Sequence, residues 1–216
     1  MEGENKLITK TFLWMFLGLL GTAIVAWYTY SSGLVVNLII SDWWRILLIL
    51  ELVVVIVFSL LFRKFSPTVV AILYFVYSMI NGVTMSTIFV IFDLGSIIWL
   101  FVCSAALFGI LALIGAKTQK DVSSWHTILF VGLGIGILLS IVNLILKNSM
   151  FDLILDWIIL AIFCGVTIYD MNKIKGLVEY EGLDPEKLHI YGAMELYLDF
   201  INIFLRVLSI FGKRRN

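Results

Sequence analysis

Apolar residues in this chain come in long runs rather than in the narrow stripes of soluble helices. Seven runs, at about 11–30, 46–62, 68–92, 94–116, 125–146, 153–169 and 189–212, approach the roughly 20 residues a helix needs to cross the hydrocarbon core. The second and sixth are short, and the third and fourth are separated by little more than a turn at Asp93. Trp27, Trp43, Trp44, Trp99, Trp125 and Trp157 fall near the ends of these runs, where interfacial aromatics belong. The pattern predicts an all-α membrane protein of seven transmembrane helices, a single domain over residues 1–216. The first run is read as a true span. It is longer than the 7–15-residue core of a signal peptide, and acidic residues precede it.

The last run differs from the others. Tyr191 to Leu208 carries Glu195, Asp199 and Arg206 among Leu, Phe, Ile and Val. An ionisable group at bilayer depth costs about 2.5–3.5 kcal/mol even on the lenient insertion scale. Glu195 and Asp199 share a helix face, and Arg206 returns to it two turns later. Such a helix belongs inside a bundle. Its charges read either as an ion or proton path or as a buried salt-bridge network that only fixes packing.

Composition narrows the class. Of 216 residues, 62% are hydrophobic and 14% charged, against roughly 25% charged in soluble domains. Mean hydropathy is +1.07. Little chain remains outside the spans for a soluble module, and the lipid bilayer is the expected partner. A formal net charge of zero argues against nucleic acid. Cys103 and Cys164 sit in apolar runs with no CxxC pattern and read as buried thiols. No cofactor is expected.

Lys and Arg orient the bundle. The N-terminus (Lys6, Lys10) and the second, fourth and sixth loops (Arg63, Lys64; Lys117, Lys120; Lys173, Lys175, Lys187) carry the basic excess, against Arg45 and Lys147 on the other side. The positive-inside rule therefore sets the N-terminus in the cytoplasm. Seven spans put Lys213, Arg214 and Arg215 outside: either the tail is an exception to that rule or the last segment does not cross fully, and seven spans are kept.

Smaller motifs have plain readings. Gly132 and Gly136 in VGLGIG lack dinucleotide-loop spacing and form the small-xxx-small pattern of close helix packing. Ser78, Asn81 and Thr84 make a polar stripe suited to interhelical hydrogen bonds. His126 and His189 have no metal-ligand partner at helical spacing and read as interfacial residues. The acidic loop 176–187 lacks the alternating ligands of an EF-hand and reads as solvated. No GxSxG, HExxH or GxGD motif appears, so the chain is not read as an enzyme.

Five carboxylates carry the candidate chemistry: Glu51, Asp156, Asp170, Glu195 and Asp199. Asp156, near the outer edge, reads as wet. Asp170 ends the sixth run on the cytoplasmic side, where Arg63 ends the second. Lys187 to Asp199 spans about 18 Å of helix, so Asp170 meets Asp199 only if the last helix starts in the cytoplasm or Asp170 lies within the membrane. Two carboxylates sharing a low-dielectric site cannot both ionise cheaply. With Arg63 beside them they would form a pH-dependent latch, and their oxygens suit a hard cation such as Ca²⁺. Glu195, Asn81 and Asn202 are further candidates for an ion path. Arg206 is expected to pair with Glu51 at similar depth and close the outer end, with Asp156 as the rival partner.

The stretches GVTMSTIF (82–89), AKTQKDVSS (116–124), IYDMNKIKG (168–176) and ELYLDFINIFLRVL (195–208) resemble the Bax inhibitor-1, or TMBIM, membrane proteins, in particular their short bacterial members. The likeness covers almost the whole chain. It implies six helices around a central seventh in a bacterial plasma membrane. It further implies a passive, pH-sensitive calcium leak, with Asp170 and Asp199 as the governing pair, Arg63 as latch, and Ca²⁺ and protons as partners. Met171 and Asn172 depart from the Thr-Gln that follows the aspartate in many members. The alternative is a structural or interaction protein of a stress or cell-survival response.

Overall fold

The structure is a computed structural model and describes residues 2–41, 43–120, 122–177 and 184–215. Residues 178–183 of the acidic loop, and with them its reading as solvated, lie outside the described residues. The described chain folds as α1 (Glu2–Ser31), α2 (Leu34–Ile40), α3 (Trp43–Leu61), α4 (Pro67–Met85), α5 (Ile88–Ile91), α6 (Leu94–Lys117), α7 (Trp125–Leu146), α8 (Ser149–Gly176) and α9 (Pro185–Phe211), with no strand among the described residues.

Six helical segments are long and apolar enough to cross a membrane: Gly3–Ser31, Trp43–Leu61, Pro67–Ile91, Leu94–Lys117, Trp125–Leu146 and Ser149–Gly176. Their outward faces carry side chains such as Ile128, Leu144 and Ile145, the last 81% exposed. Apolar exposure on this scale fits hydrocarbon and not water. The seventh expected run is helical as α9, but its charges keep it out of the apolar set.

Helix ends depart from the hydropathy pattern for local reasons. α1 and α8 run past the apolar runs, because nothing in their polar ends breaks a helix. The third run is interrupted after Met85. There Ser86 and Thr87 each donate to the carbonyl three residues back, at 2.6 and 2.8 Å, a local alternative to the helical ladder. Asp93 caps α6 by accepting from the Ser96 amide at 3.2 Å, as a β-region carboxylate at N-cap does. α2 was not expected. It follows a turn at Gly33, whose φ of 76° suits a residue without Cβ.

The chain divides into two compact units. The first comprises 1–92, 177–197 and 215–216. In it α1 packs on α4, and Gly82 sets how close they come: a Cβ there would lie 2.7 Å from the Thr22 carbonyl oxygen. Gly18 leaves room for the Tyr74 hydroxyl, which donates to the Trp14 carbonyl at 2.9 Å. Ser66 caps α4, accepting from Val69 at 3.4 Å with Pro67 following at N1, where its missing N–H costs nothing.

The second unit comprises 93–176 and 198–214. α8 packs against α6 and α7. Gly115 admits the α8 backbone so closely that a Cβ would stand 2.6 Å from the Ile168 carbonyl oxygen. A Cβ at Gly132 or Gly136 would lie 3.2 Å from the side chain of Ile162 or Ile159 of α8, whereas one at Gly134 would meet open space. The small-xxx-small reading is thereby realised on the side it required. The α7–α8 turn is held by Asn143, which exchanges hydrogen bonds with the Asn148 backbone and donates to Asp152. Cys103 and Cys164 are free and half-buried, less enclosed than expected.

Candidate functional site

Of the candidate residues, Glu195, Asp199, Asn202 and Arg206 lie on α9. From Lys187 to Leu208 no residue of this helix is exposed, although the segment includes Lys187, Glu195, Asp199 and Arg206. A charge-bearing helix with no exposed face needs its polar groups answered by protein.

Where α9 begins, Lys187 is buried and its ammonium donates to the Arg63 carbonyl at 2.9 Å. Arg63 is exposed, with its guanidinium carbon 6.0 Å from the Phe62 ring centroid. Phe62 stacks on Tyr191 at 4.4 Å. The sequence thus places Arg63 just past the end of α3, beside the first turns of α9. His189 is buried against protein at 5% exposure, on a helix that is covered from Lys187 on.

Asp170 and Asp199 are both buried, at 6% and 2% exposure. Their relative depth follows from a contact nearer the other end of the same helices. Ser209 and Arg206 of α9 both bind the Asp156 carboxylate of α8, so the two helices run antiparallel from that level. Counting from it, Asp170 lies about 21 Å along α8 and Asp199 about 10–15 Å back along α9, depending on whether Arg206 or Ser209 marks the level, a difference of roughly one to two helical turns. Near Asp170, Asn172 donates to the Thr118 carbonyl at 2.7 Å, and Lys175 donates to the same oxygen at 2.6 Å. These side chains satisfy carbonyls left open at the end of α6. The departure at Asn172 therefore serves the α6–α8 join.

Arg206 corrects another expectation. It pairs with Asp156, Nη1 to Oδ1 at 2.6 Å, and not with Glu51. Asp156 is 6% exposed, so it is not wet. Because α8 starts at Ser149, Asp156 sits two turns inside the helix and not at its edge.

Glu51 instead ends a hydrogen-bonded chain within the first unit. It accepts from Thr84 Oγ1 at 2.6 Å and from Asn81 Nδ2 at 3.4 Å. Asn81 Oδ1 accepts from the Tyr197 hydroxyl at 2.9 Å. The Tyr197 hydroxyl also lies 2.6 Å from Thr22 Oγ1, which has the Gly18 and Ser78 carbonyls within reach at 3.0 and 2.9 Å. The chain thus links α1, α9 and α4 to a carboxylate on α3. Edge-on contacts with Tyr74 and Tyr77, at 6.0 and 5.8 Å, enclose the Tyr197 ring. The polar stripe on α4 was legible as interhelical glue, but Thr22 and Tyr197 were missed. The available signal was a tyrosine deep in a charged span, whose hydroxyl must find a partner.

Of the other ion-path candidates, Asn202 spends its amide on the Leu198 carbonyl at 2.8 Å, and Glu195 is half-buried. No group of three or more His, Cys, Asp or Glu positioned for a metal ion occurs among the described residues. Two carboxylates alone supply fewer than the six to eight oxygens Ca²⁺ takes at a resident site.

Comparison with known proteins bears on the whole chain. Residues 4–216 match the family described as Inhibitor of apoptosis-promoting Bax1. The inner membrane protein YbhL of Escherichia coli is 39% identical, over 99% of this chain and 94% of its own length. An uncharacterized protein of Borreliella burgdorferi is 31% identical over 99% and 94%. One of Deinococcus radiodurans is 32% identical over 99% and 93%.

Proposed function

We propose a function on the premise that the chain belongs to the Bax inhibitor-1 family, which covers it almost from end to end. The protein is a passive, pH-sensitive Ca²⁺ leak of the bacterial plasma membrane, gated at the cytoplasmic side by Asp170 and Asp199 with Arg63 as latch. Its six apolar spans surround α9 as a central seventh, and its N-terminus is cytoplasmic.

The observation that carries this reading is the burial of two carboxylates, Asp170 and Asp199, on consecutive helices of a membrane protein. Like charges so placed in a low dielectric repel, and protonation relieves them. Acid then removes the negative charge that would hold Arg63, which favours opening. The seventh crossing draws support from both ends of α9. Its start lies beside the end of α3 through Lys187 and Arg63. The chain beyond it brings Arg215 to the ends of α1 and α5, donating to the Ile91 carbonyl at 2.9 Å. Those ends lie on opposite faces of a bundle in which α1, α3 and α4–α5 each cross once.

Reconstitution in liposomes loaded with a Ca²⁺-sensitive dye tests the proposal. Flux that rises on mild acidification, and loses that rise in Asp170→Asn and Asp199→Asn, is the expected result. A second reading, a structural membrane protein, draws on the Asp156–Arg206 pair and the Glu51 chain, which tie helices together. Pure liposomes with no Ca²⁺ flux at any pH would favour it.

A further inference from the structure

Where α1 and α5 end, the chain leaves a groove of about 500 Å³, within the range of small-molecule sites, about 300–1,000 Å³. Tyr30, Ser31 and Arg215 give it polar groups, and Val35, Val36 and Val90 an apolar wall. Arg215 is anchored there by neutral groups: Nη1 donates to the Tyr30 hydroxyl and to the Phe89 carbonyl. Among the described residues no carboxylate forms an ion pair with it. A guanidinium has five N–H donors, so most of its fork stays open to a ligand.

The surroundings set the depth. Trp27, Tyr30 and Phe89 form a ring cluster with centroids 5.3–6.0 Å apart, the kind of aromatic group that sits at headgroup level. Beside it α2 leaves Leu34, Val36 and Ile40 exposed, Ile40 by 77%. A cation and two hydroxyls at headgroup level, next to bare aliphatic side chains, match the two halves of a phospholipid. We propose that this groove binds an anionic phospholipid, its phosphate on Arg215 and Tyr30 and the first part of its acyl chains along α2. Arg is suited to this because its planar fork meets phosphate oxygens in pairs. The site also gives a positive tail on the less basic side of the membrane something to do.

Native mass spectrometry of the purified full-length protein tests the site, with phosphatidylglycerol, phosphatidylcholine and inorganic phosphate as separate probes. Wild type should retain phosphatidylglycerol in preference to phosphatidylcholine. Arg215→Gln should lower that retention about fivefold, the worth of one basic contact at a membrane surface. Arg215→Lys, which keeps the charge and loses the fork, should fall between, and Tyr30→Phe should weaken binding with the charge intact. Lys213→Gln should leave retention unchanged. Equal losses in Lys213→Gln and Arg215→Gln would reduce the effect to diffuse charge and overturn the site. Displacement of the lipid by inorganic phosphate would make it a free-anion site and overturn the lipid assignment.

Discussion

Arg206 and Ser209, one turn apart on α9, close on the same carboxylate, Asp156 of α8. One oxygen takes the guanidinium and the other the hydroxyl, so Asp156 fixes the register of two helices at once. Breaking a buried pair strands a charge, while removing both partners often costs little. The Arg206 side chain is 32% exposed, which moderates the effect. Asp156→Asn and Arg206→Gln should each destabilise by about 2–3 kcal/mol, and the double variant by less than their sum. Unfolding in detergent, analysed as a double-mutant cycle, measures the coupling.

Tyr197 stands between Thr22 and Asn81 in the chain that ends on Glu51. Tyr197→Phe keeps the ring and deletes the hydroxyl, leaving the buried Asn81 Oδ1 without its donor, while Thr22 keeps the Gly18 and Ser78 carbonyls. A loss of about 1–3 kcal/mol is expected. Thr84→Val, which removes only the terminal donor to Glu51, should cost less than Tyr197→Phe in the same unfolding assay.

Close helix approach depends on two glycines. Gly82→Ala and Gly115→Ala would each drive a methyl to within 2.7 and 2.6 Å of a backbone carbonyl oxygen. Backbone cannot step aside as a flexible side chain does, so each should destabilise by about 1–3 kcal/mol. Gly134→Ala, which meets nothing within 4 Å, should be neutral or slightly stabilising.

Topology is open to a labelling test. A cysteine placed at Lys120 should react with a membrane-impermeant maleimide only in inverted vesicles, and one at Arg214 only from outside intact cells. Both positions reacting from the same side would remove the seventh crossing.

The apolar spans were legible because hydropathy alone determines them. α2 was not: Leu34–Ile40 is too short to cross, and apolar content does not say that a segment lies at the membrane edge. The break after Met85 depends on two hydroxyls, Ser86 and Thr87, turning back on their own chain, which a hydropathy pattern does not register. Arg206 was matched to Glu51 by depth along the helix. Depth leaves rotation about the helix axis undetermined, and it is rotation that turns Arg206 toward α8 and Glu51 toward α4. The stripe Ser78, Asn81 and Thr84 was readable because all three lie on one helix face. Its continuation through Tyr197 and Thr22 joins residues 175 apart, a relation without local trace.

The covered, charge-bearing stretch of α9 also bears on how the protein is made. Each charge at the centre of a span opposes transfer from the translocon into lipid by about 2.5–3.5 kcal/mol, so α9 partitions poorly as a solitary segment. The six apolar spans precede it in the chain and partition readily. For the proposed seventh crossing this implies an order of biogenesis: the earlier spans enter first and offer polar partners, and α9 follows. A lesion in an early span that leaves those partners out of place would then appear as failed insertion of the last helix, and the cell's membrane-protein quality control would meet α9 first.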